Sequence, residues 1–167
     1  MGFRLFSDAF ENGRAIPDLY SDTRLGRNLS PPLKWEDPPD ETQCFAVIAE
    51  DVDPPLLRVI PHWVLYNIPP GKRELKEGVP QQELFPDGTV QGKSFFRRNA
   101  YMGPNPPFGT HRYYFRIYAL DQKFEVDPRM TRRKLLRTIE GHVLGQAELL
   151  GTYTRRRRQK LTEEGDG

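Results

Sequence analysis

Prolines placed between short apolar runs restrict the fold of this chain more than any other feature. The 167 residues include 16 prolines, about twice the usual frequency of roughly 5%. They cluster in SPPLKW, EDPPDE, DVDPPLLRVIP, NIPPG and GPNPPFG. Because these clusters separate apolar runs and do not lie in a low-complexity tail, we interpret them as rigid loops rather than disorder.

The apolar runs between these loops have the composition of β-strands. They are short, rich in β-branched and aromatic residues, and bounded by proline, glycine or aspartate. The predicted strands are residues 44–50, 62–68, 89–95, 111–120 and 147–153. The first run is continuously apolar, which predicts a strand buried between two layers.

One segment has the pattern of a helix. In residues 131–144, apolar side chains recur at helical spacing and Thr131 is a suitable N-cap. The whole pattern predicts a mainly β fold, an antiparallel Greek-key-type β-sandwich with one or two peripheral helices. We expect a single domain over residues 1–153, followed over 154–167 by a polar tail that is first basic and then acidic.

Charge, cysteine content and hydropathy indicate the cellular location of the protein and the partners to expect. The formal net charge is only +2, so charge gives no reason to expect a specific nucleic-acid partner. The single cysteine, Cys44, has no intramolecular disulfide partner, which favours a reducing compartment. No apolar run approaches the roughly 18 residues that a transmembrane helix needs. These features predict a cytoplasmic protein without a transmembrane segment.

Polar side chains lie at the ends of three predicted strands. Asp51 and Asp53 follow the buried strand. His62 opens the next strand, and His111 opens the strand after GPNPPFG. Because the loops of a sandwich gather at its rims, we expect these side chains to lie close together at one end. Aspartate and histidine in such a cluster can bind an anion, hold a metal ion or act as general acid and base.

Five motifs, in their order along the chain, resemble one known family. They are NLSPPLKW, EDVDPP, PHWVLYNIPPG, YMGPNPPFGTHRY and EGHVLGQAELLGTY. Over about residues 5–153 the chain resembles the phosphatidylethanolamine-binding protein family, whose members include the Raf kinase inhibitor protein. It is most similar to the small bacterial and archaeal branch. One departure lies in the family motif DPDAP, where Val52 and Pro54 replace the first proline and the alanine.

The resemblance implies a ligand site. In relatives, the matching positions line a small pocket that holds phosphate-like anions or phospholipid head groups. The ligand-binding residues implied here are Asp51, Asp53, His62, Gly103, Asn105, Pro106, Pro107, His111 and Tyr113. From the residues themselves we expect no cofactor, no metal ion and no catalytic residue, because the histidines and aspartates lie in separate loops without a compact metal spacing and no convincing nucleophile accompanies them. The resemblance also suggests a homodimer, and a coupling of ligand binding to inhibition of a kinase or another protein target.

The chemistry of these residues agrees with an anion site. A proline-stiffened loop is fixed in advance, so its free amides can donate to an anion at little entropic cost. These amides belong to Gly103, Asn105, Phe108 and Gly109. The two histidines add donors from a second side. A carboxylate that accepts from one ring nitrogen fixes the tautomer of an imidazole and favours its charged form.

Two other functions stay open. A weak hydrolase could use the Asp/His cluster, but no Gly-x-Ser-x-Gly or His-Glu-x-x-His motif occurs, so we expect no enzyme activity. A kinase or protease inhibitor could instead act through a protein surface independent of the pocket, with Trp63 or Phe108 as contact residues. We interpret His142, near the end of the predicted helix, as structural, and the arginines at 155–158 as a solvated tail.

Overall fold

The computed structural model describes residues 2–55 and 58–156. Its elements, in chain order, are β1 Arg4–Phe6, β2 Arg14–Ala15, a 3-10 turn Asp18–Tyr20, β3 Leu33–Glu36, β4 Cys44–Asp51, β5 Ile60–Ile68, β6 Glu74–Leu75, β7 Val90–Gln91, β8 Thr110–Leu120, α1 Arg132–Ile139 and β9 Val143–Thr154. The larger sheet has the strand order β2-β9-β8-β4-β5-β7, and the smaller sheet has the order β1-β3-β6.

The central strand of the larger sheet is β4. Its eight residues are all buried, as its continuous apolar run predicted. Strands β5 and β8 flank it and run antiparallel to it. One core, which includes Trp35 and Phe115, lies between the two sheets, and a second core, which includes Ile48 and Leu135, lies under α1. The predicted mainly β sandwich is confirmed, with one short parallel pair between β2 and β9.

Helix α1 is shorter than its sequence pattern predicted. Thr131 caps it by accepting a hydrogen bond from the amide of Lys134, and Leu135 and Ile139 pack into the core. The predicted last turn is wrong, because Gly141 adopts a left-handed φ of 80° that ends the helix. The residues after it already belong to β9. Among the described residues, no helix is long and apolar enough to cross a membrane.

The predicted strand 89–95 is wrong over most of its length, since the strand observed there is Val90–Gln91, followed only by an isolated bridge between Lys93 and Thr131. After it the chain turns: the amide of Arg97 donates to the carbonyl of Ser94, and Arg97 has a φ of 58°. The predicted strand 147–153 is part of the longer β9. Residues 157–167, which hold most of the predicted polar tail, lie outside the described residues.

The strand register brings the polar strand ends to one rim of the larger sheet. Asp51, the last residue of β4, pairs with Ile60 at the start of β5. On its other side, Asp51 pairs with Tyr113 near the start of β8. The antiparallel order therefore places the end of one strand beside the beginnings of its two neighbours. The gathering of these side chains at one end, expected from the sequence, follows from this register.

Candidate functional site

A cavity of about 120 Å³ opens at this rim. Eight of the nine residues implied by the resemblance line it, namely Asp51, His62, Gly103, Asn105, Pro106, Pro107, His111 and Tyr113. Asp53 does not line the cavity. Seven further residues line the cavity, namely Asp22, Pro54, Pro55, Ile60, Phe95, Phe96 and Met102. Asp22, Ile60, Phe95 and Phe96 were not singled out in the sequence, because the fold brings them to the cavity from separate segments.

His111 and Asp51 form a buried pair at the base of the site. Nδ1 of His111 lies 2.7 Å from Oδ2 of Asp51, and both side chains are about 95% buried. Since an ionised carboxylate only accepts hydrogen bonds, Nδ1 is the donor. The remaining nitrogen, Nε2, donates to a ligand in the protonated form of the ring. The other oxygen of Asp51 accepts the amide of Asp53 at 2.8 Å, which fixes the carboxylate.

His62 offers different chemistry from His111. Its Nδ1 donates to the carbonyl oxygen of Met102 at 2.6 Å, and its ring meets that of Tyr113 edge to face at 5.2 Å. Burial lowers the pKa of His62 below its usual value, so the ring is neutral at neutral pH. With a proton on Nδ1, the free Nε2 is an acceptor. The expectation that both histidines act as donors is therefore wrong for neutral His62.

Tyr113 brings a buried hydroxyl group to the site, close to the carboxylate of Asp51. Its oxygen is buried and has no hydrogen-bond partner within residues 2–55 and 58–156. Burial, together with the negative charge of nearby Asp51, raises the pKa of Tyr113 far above its usual value. The hydroxyl therefore stays protonated and can donate. An unpaired buried hydroxyl is costly, which makes it a sign of a ligand position.

The proline-rich loop is held by hydrogen bonds at its start. The amide of Met102 donates to the carbonyl of His62 at 2.8 Å, and the amide of Gly103 donates to Oδ1 of Asn28 at 2.7 Å. The expectation that the Gly103 amide is free for an anion is therefore wrong. A Cβ atom at Gly103 would lie 2.1 Å from the carbonyl oxygen of Tyr20, so only glycine fits there.

The far side of the loop is joined to the end of β9. The guanidinium of Arg155 donates to Oδ1 of Asn105 at 2.7 Å, and its amide donates to the carbonyl of Gly109 at 2.8 Å. The backbone amides of Asn105, Phe108 and Gly109 have no hydrogen-bond partner in the part of the chain that the structure describes. Of these three residues only Asn105 lines the cavity, so its amide remains the candidate for anion binding.

Asp53 has a structural position beside the site. Its carboxylate accepts two hydrogen bonds from the guanidinium of Arg112, at 2.8 and 2.9 Å, and a third from the Arg112 amide. The hydrogen bonds from Arg112 hold the pKa of Asp53 below its usual value. Asp53 thus ties the loop after β4 to the beginning of β8, which keeps Asp51 and His111 in register.

Three exposed phenylalanines lie near the cavity. Phe95 and Phe96 line it, and their side chains are 51% and 65% exposed; Phe108, in the proline-rich loop, is 67% exposed. Trp63, predicted as an alternative contact residue, is instead fully buried and donates its Nε1–H to Gln91 at 2.7 Å. Its role as a surface contact is therefore wrong.

The described residues do not form a metal site or place a cysteine nucleophile at this cavity. Among residues 2–55 and 58–156, no group of three or more His, Cys, Asp and Glu is arranged to hold a metal ion. Cys44 lies outside the cavity lining, and its thiol donates to the carbonyl of Gln122. Burial raises the pKa of Cys44 to about 11. His142 does not lie in α1 and is paired with Asp121 at 2.9 Å.

The fold and the site define a small β-sandwich protein with a ligand pocket at one rim. The phosphatidylethanolamine-binding protein family model matches residues 6–154. A relative from Methanothermobacter thermautotrophicus is 44% identical over 151 residues, which cover 90% of this chain and 98% of the relative. The chain belongs to the phosphatidylethanolamine-binding protein family, in its small bacterial and archaeal branch.

Two solved structures support the same assignment. The crystal structure of a phosphatidylethanolamine-binding protein homologue from Chlamydia trachomatis has 38% sequence identity and a TM-score of 0.83, and the match covers 93% of this chain and 99% of that chain. E. coli YbcL, described as a member of the mammalian family, has 27% identity and a TM-score of 0.85, with 93% and 100% coverage. The family assignment made from the motifs is confirmed.

Proposed function

We propose that this protein binds a small phosphate-like anion in the rim cavity: phosphate, a phosphomonoester or the head group of a phospholipid. The observation that carries this proposal is the unpartnered hydroxyl of Tyr113 in a cavity that also contains the buried pair of His111 and Asp51. Two hydrogen-bonding groups in the lining of one small cavity suit a compact oxyanion.

Tyr113, His111 and His62 each contribute a different hydrogen bond to the ligand. Tyr113 donates its O–H, and His111 donates from Nε2 while Asp51 holds its other nitrogen. Neutral His62 accepts at Nε2, so it suits either the hydroxyl of a singly protonated phosphate or an N–H group of an amine-bearing head group. The free amide of Asn105, in the proline-rich loop, supplies a further donor. The site therefore combines hydrogen-bond donors with an acceptor, unlike an anion site that is lined only by cationic groups.

The size of the cavity limits what part of a ligand it can hold. A volume of about 120 Å³ corresponds to roughly four molecules of liquid water at ~30 Å³ each. That volume accommodates a phosphate group with a short substituent, whereas the rest of a larger ligand has to extend past the rim. Phe95 and Phe96 lie where such a substituent would leave the cavity.

We also propose that the protein binds its ligand without catalysis and works in the cytoplasm. The chain's single cysteine is excluded as a nucleophile by the raised pKa of its buried thiol. The cavity lining includes no serine or threonine to act as an alternative nucleophile. A phosphatase and esterase screen of the purified protein tests this part of the proposal, and activity lost in His111→Gln would refute it.

Inhibition of a kinase or another protein target is a second candidate function. The exposed phenylalanines Phe95, Phe96 and Phe108 favour it, because exposed aromatic residues beside a pocket are typical of contact surfaces. If the target senses the ligand, affinity for the target should change when phosphate fills the cavity. If the surface acts alone, Phe108→Ala, which changes an exposed residue outside the cavity lining, should weaken target binding and leave phosphate binding unchanged.

Histidine NMR during a titration with inorganic phosphate tests the main proposal. We expect the ring resonances of His62 and His111 to shift together and to saturate, while those of His142 stay unchanged. Phosphoethanolamine, titrated in the same way, separates a head-group preference from a preference for free phosphate. If His142 shifts and the other two histidines do not, the rim cavity is not the anion site.

A further inference from the structure

A tight turn lies beside the rim cavity, shortly after β7. The amide of Arg97 donates to the carbonyl of Ser94 at 2.9 Å, and the amide of Ser94 donates to the carbonyl of Arg98 at 3.0 Å. Arg97 completes the turn with its left-handed φ of 58°. The amide of Phe95 donates to the carbonyl of Pro61 at 2.9 Å, which ties the turn to β5. Backbone hydrogen bonds therefore fix the turn in place.

This turn, residues 94–98, presents two aromatic side chains to solvent. Phe95 and Phe96 occupy its two central positions and are each more than half exposed. Their rings meet edge to face, with centroids 5.1 Å apart. Both line the rim cavity, and a third exposed aromatic residue, Phe108, lies in the proline-rich loop beside it. Exposed apolar side chains that are grouped on fixed loops indicate a binding surface.

Positive charge surrounds the two phenylalanines of the turn. Arg97 and Arg98 follow them directly and are exposed, and Arg58, also exposed, lies two residues before Ile60 of the cavity lining. In the part of the chain that the structure describes, none of these three guanidinium groups forms an ion pair. The exposed carboxylate of the lining is that of Asp22. Three arginines against one carboxylate give this surface a positive field.

Aromatic rings and arginines on one fixed turn suit a membrane surface. Aromatic side chains are enriched at the membrane–water interface, where basic residues beside them contact the lipid head groups. The cytoplasmic leaflet is anionic, and each basic residue close to it strengthens binding by roughly fivefold. A protein partner would need an acidic hollow of matching shape, whereas a fluid bilayer adapts to the turn. The charge and shape of the turn therefore favour an anionic bilayer as its partner.

We propose that the turn 94–98 docks this protein on anionic phospholipid bilayers. Phe95 and Phe96 enter the interface between head groups and acyl chains, and Arg97 and Arg98 contact the phosphate groups around them. Because both phenylalanines line the rim cavity, a docked molecule holds the cavity opening against the head groups. This last step rests on the proposed function, whereas the docking itself does not use the anion-binding groups of the cavity.

Binding to vesicles tests the docking. We expect the whole protein to sediment with vesicles of phosphatidylcholine and phosphatidylglycerol but not with vesicles of phosphatidylcholine alone, and high salt should release it. Phe96→Ala should weaken binding to the anionic vesicles roughly tenfold, because its ring is no longer there to leave water on insertion. The double variant Arg97→Gln/Arg98→Gln should weaken this binding by roughly 30-fold.

Two arginines of α1 provide the control for charge. Arg133→Gln/Arg137→Gln removes the same number of charges from exposed positions of the helix. Its binding to anionic vesicles should stay within about threefold of the wild-type value, since charges away from the docked surface are largely screened. If this variant loses as much affinity as Arg97→Gln/Arg98→Gln, net charge alone drives the binding and the proposal is overturned.

Tryptophan fluorescence locates the contact with the vesicle. The two native tryptophans, Trp35 and Trp63, are buried, so an indole added at the surface reports on its own position. The emission of Phe96→Trp should shift to shorter wavelengths when anionic vesicles are added. Leu144→Trp is the control, because Leu144 is exposed near the beginning of β9, at the end of the sheet far from the rim. The emission of this control should not change.

A failure of the docking is distinguishable from a failure of the anion site. Arg97→Gln/Arg98→Gln should bind inorganic phosphate within about twofold of the wild-type value, since neither arginine lines the cavity. Tyr113→Phe should lose phosphate affinity and still bind anionic vesicles. The docking proposal is overturned if the wild type does not bind anionic vesicles, which would leave the phenylalanines as protein contacts. It is also overturned if Arg97→Gln/Arg98→Gln binds these vesicles as tightly as the wild type, or if the emission of Phe96→Trp does not shift.

Discussion

Oδ2 of Asp51 lies 2.7 Å from Nδ1 of His111, although 60 residues separate them in the chain. We expect Asp51→Asn to weaken binding of inorganic phosphate about tenfold. The amide oxygen of asparagine can still accept from Nδ1, but this neutral hydrogen bond is weaker than the charge-assisted bond to the carboxylate and positions the ring less firmly. Isothermal titration calorimetry with phosphate at pH 6.5 and 7.5 measures the loss of affinity.

Asp53→Asn is the control for the Asp51 variant. It removes a carboxylate two residues away that pairs with Arg112 and does not line the cavity. We expect its phosphate affinity to stay within about threefold of the wild-type value, since 0.7 kcal/mol or less corresponds to that change. If both variants lose affinity equally, the effect comes from the local charge in general and not from the contact with His111.

The stability of the protein should fall in mild acid because of His62. Burial lowers the pKa of His62 in the folded protein. The unfolded chain, with an ordinary histidine pKa of about 6.5, therefore binds more protons below that pH. The free energy of unfolding thus decreases as the pH falls below about 6.5, by at most about 1.4 kcal/mol per pH unit, and levels off above about 7.5.

Urea unfolding of the wild type and of His62→Gln between pH 5 and 7.5 measures this dependence. His62→Gln loses the bond to Met102 and should be less stable than the wild type at pH 7.5, by about 1–3 kcal/mol. Its free energy of unfolding should nevertheless change less with pH. An equal pH slope in the two proteins would show that another group causes the acid sensitivity.

Gly103 should tolerate no side chain. Because a Cβ atom would lie 2.1 Å from the carbonyl oxygen of Tyr20, Gly103→Ala should destabilise the protein by about 2–3 kcal/mol and shift the loop that carries Asn105. Phosphate affinity should fall with it. In Gly71→Ala the new methyl group meets no atom within 4 Å, so its stability should stay within about 0.5 kcal/mol of the wild type. Chemical denaturation compares the two.

The elements that the sequence predicted correctly are those with strong local patterns. Strand β4 was recognised because the seven consecutive residues 44–50 fit a fully buried strand, and the structure extends it by one residue to Asp51. Segment 89–95 was also predicted as a strand, but the buried side chain of Gln91 donates to the carbonyls of Pro80, Gln82 and Asn99, and the chain turns after Ser94, where the amide of Arg97 donates back to the carbonyl of Ser94. No local pattern reveals such contacts.

The candidate site, too, could be predicted from the sequence only in part. The motifs identified eight lining residues, but the roles of individual groups depend on distant partners. The amide of Gly103 is occupied by Asn28, which is 75 residues away, and Nδ1 of His62 by the carbonyl of Met102, which is 40 residues away. Asn28 belongs to the NLSPPLKW motif, so the sequence contained a signal for it without showing its function.

Removal of the unpartnered hydroxyl of Tyr113 should affect the stability of the protein and its phosphate affinity in opposite directions. Without a ligand, Tyr113→Phe should leave the free energy of unfolding unchanged or raise it by up to about 1 kcal/mol, because a buried hydroxyl without a partner stabilises nothing. Phosphate affinity should fall roughly tenfold or more, since a hydrogen bond to a charged group is worth about 1.5–3 kcal/mol. Thermal unfolding and calorimetric titration measure the two quantities.

Tyr101→Phe is the matched control, because its hydroxyl is buried outside the cavity lining and donates to the carbonyl of Tyr20 at 2.8 Å. Its removal should cost about 1 kcal/mol of stability and leave phosphate affinity nearly unchanged. The two tyrosine variants therefore separate a hydroxyl that supports the fold from one that serves a ligand. If Tyr113→Phe loses stability as Tyr101→Phe does and still binds phosphate normally, the hydroxyl of Tyr113 is structural and the anion must be held by other groups.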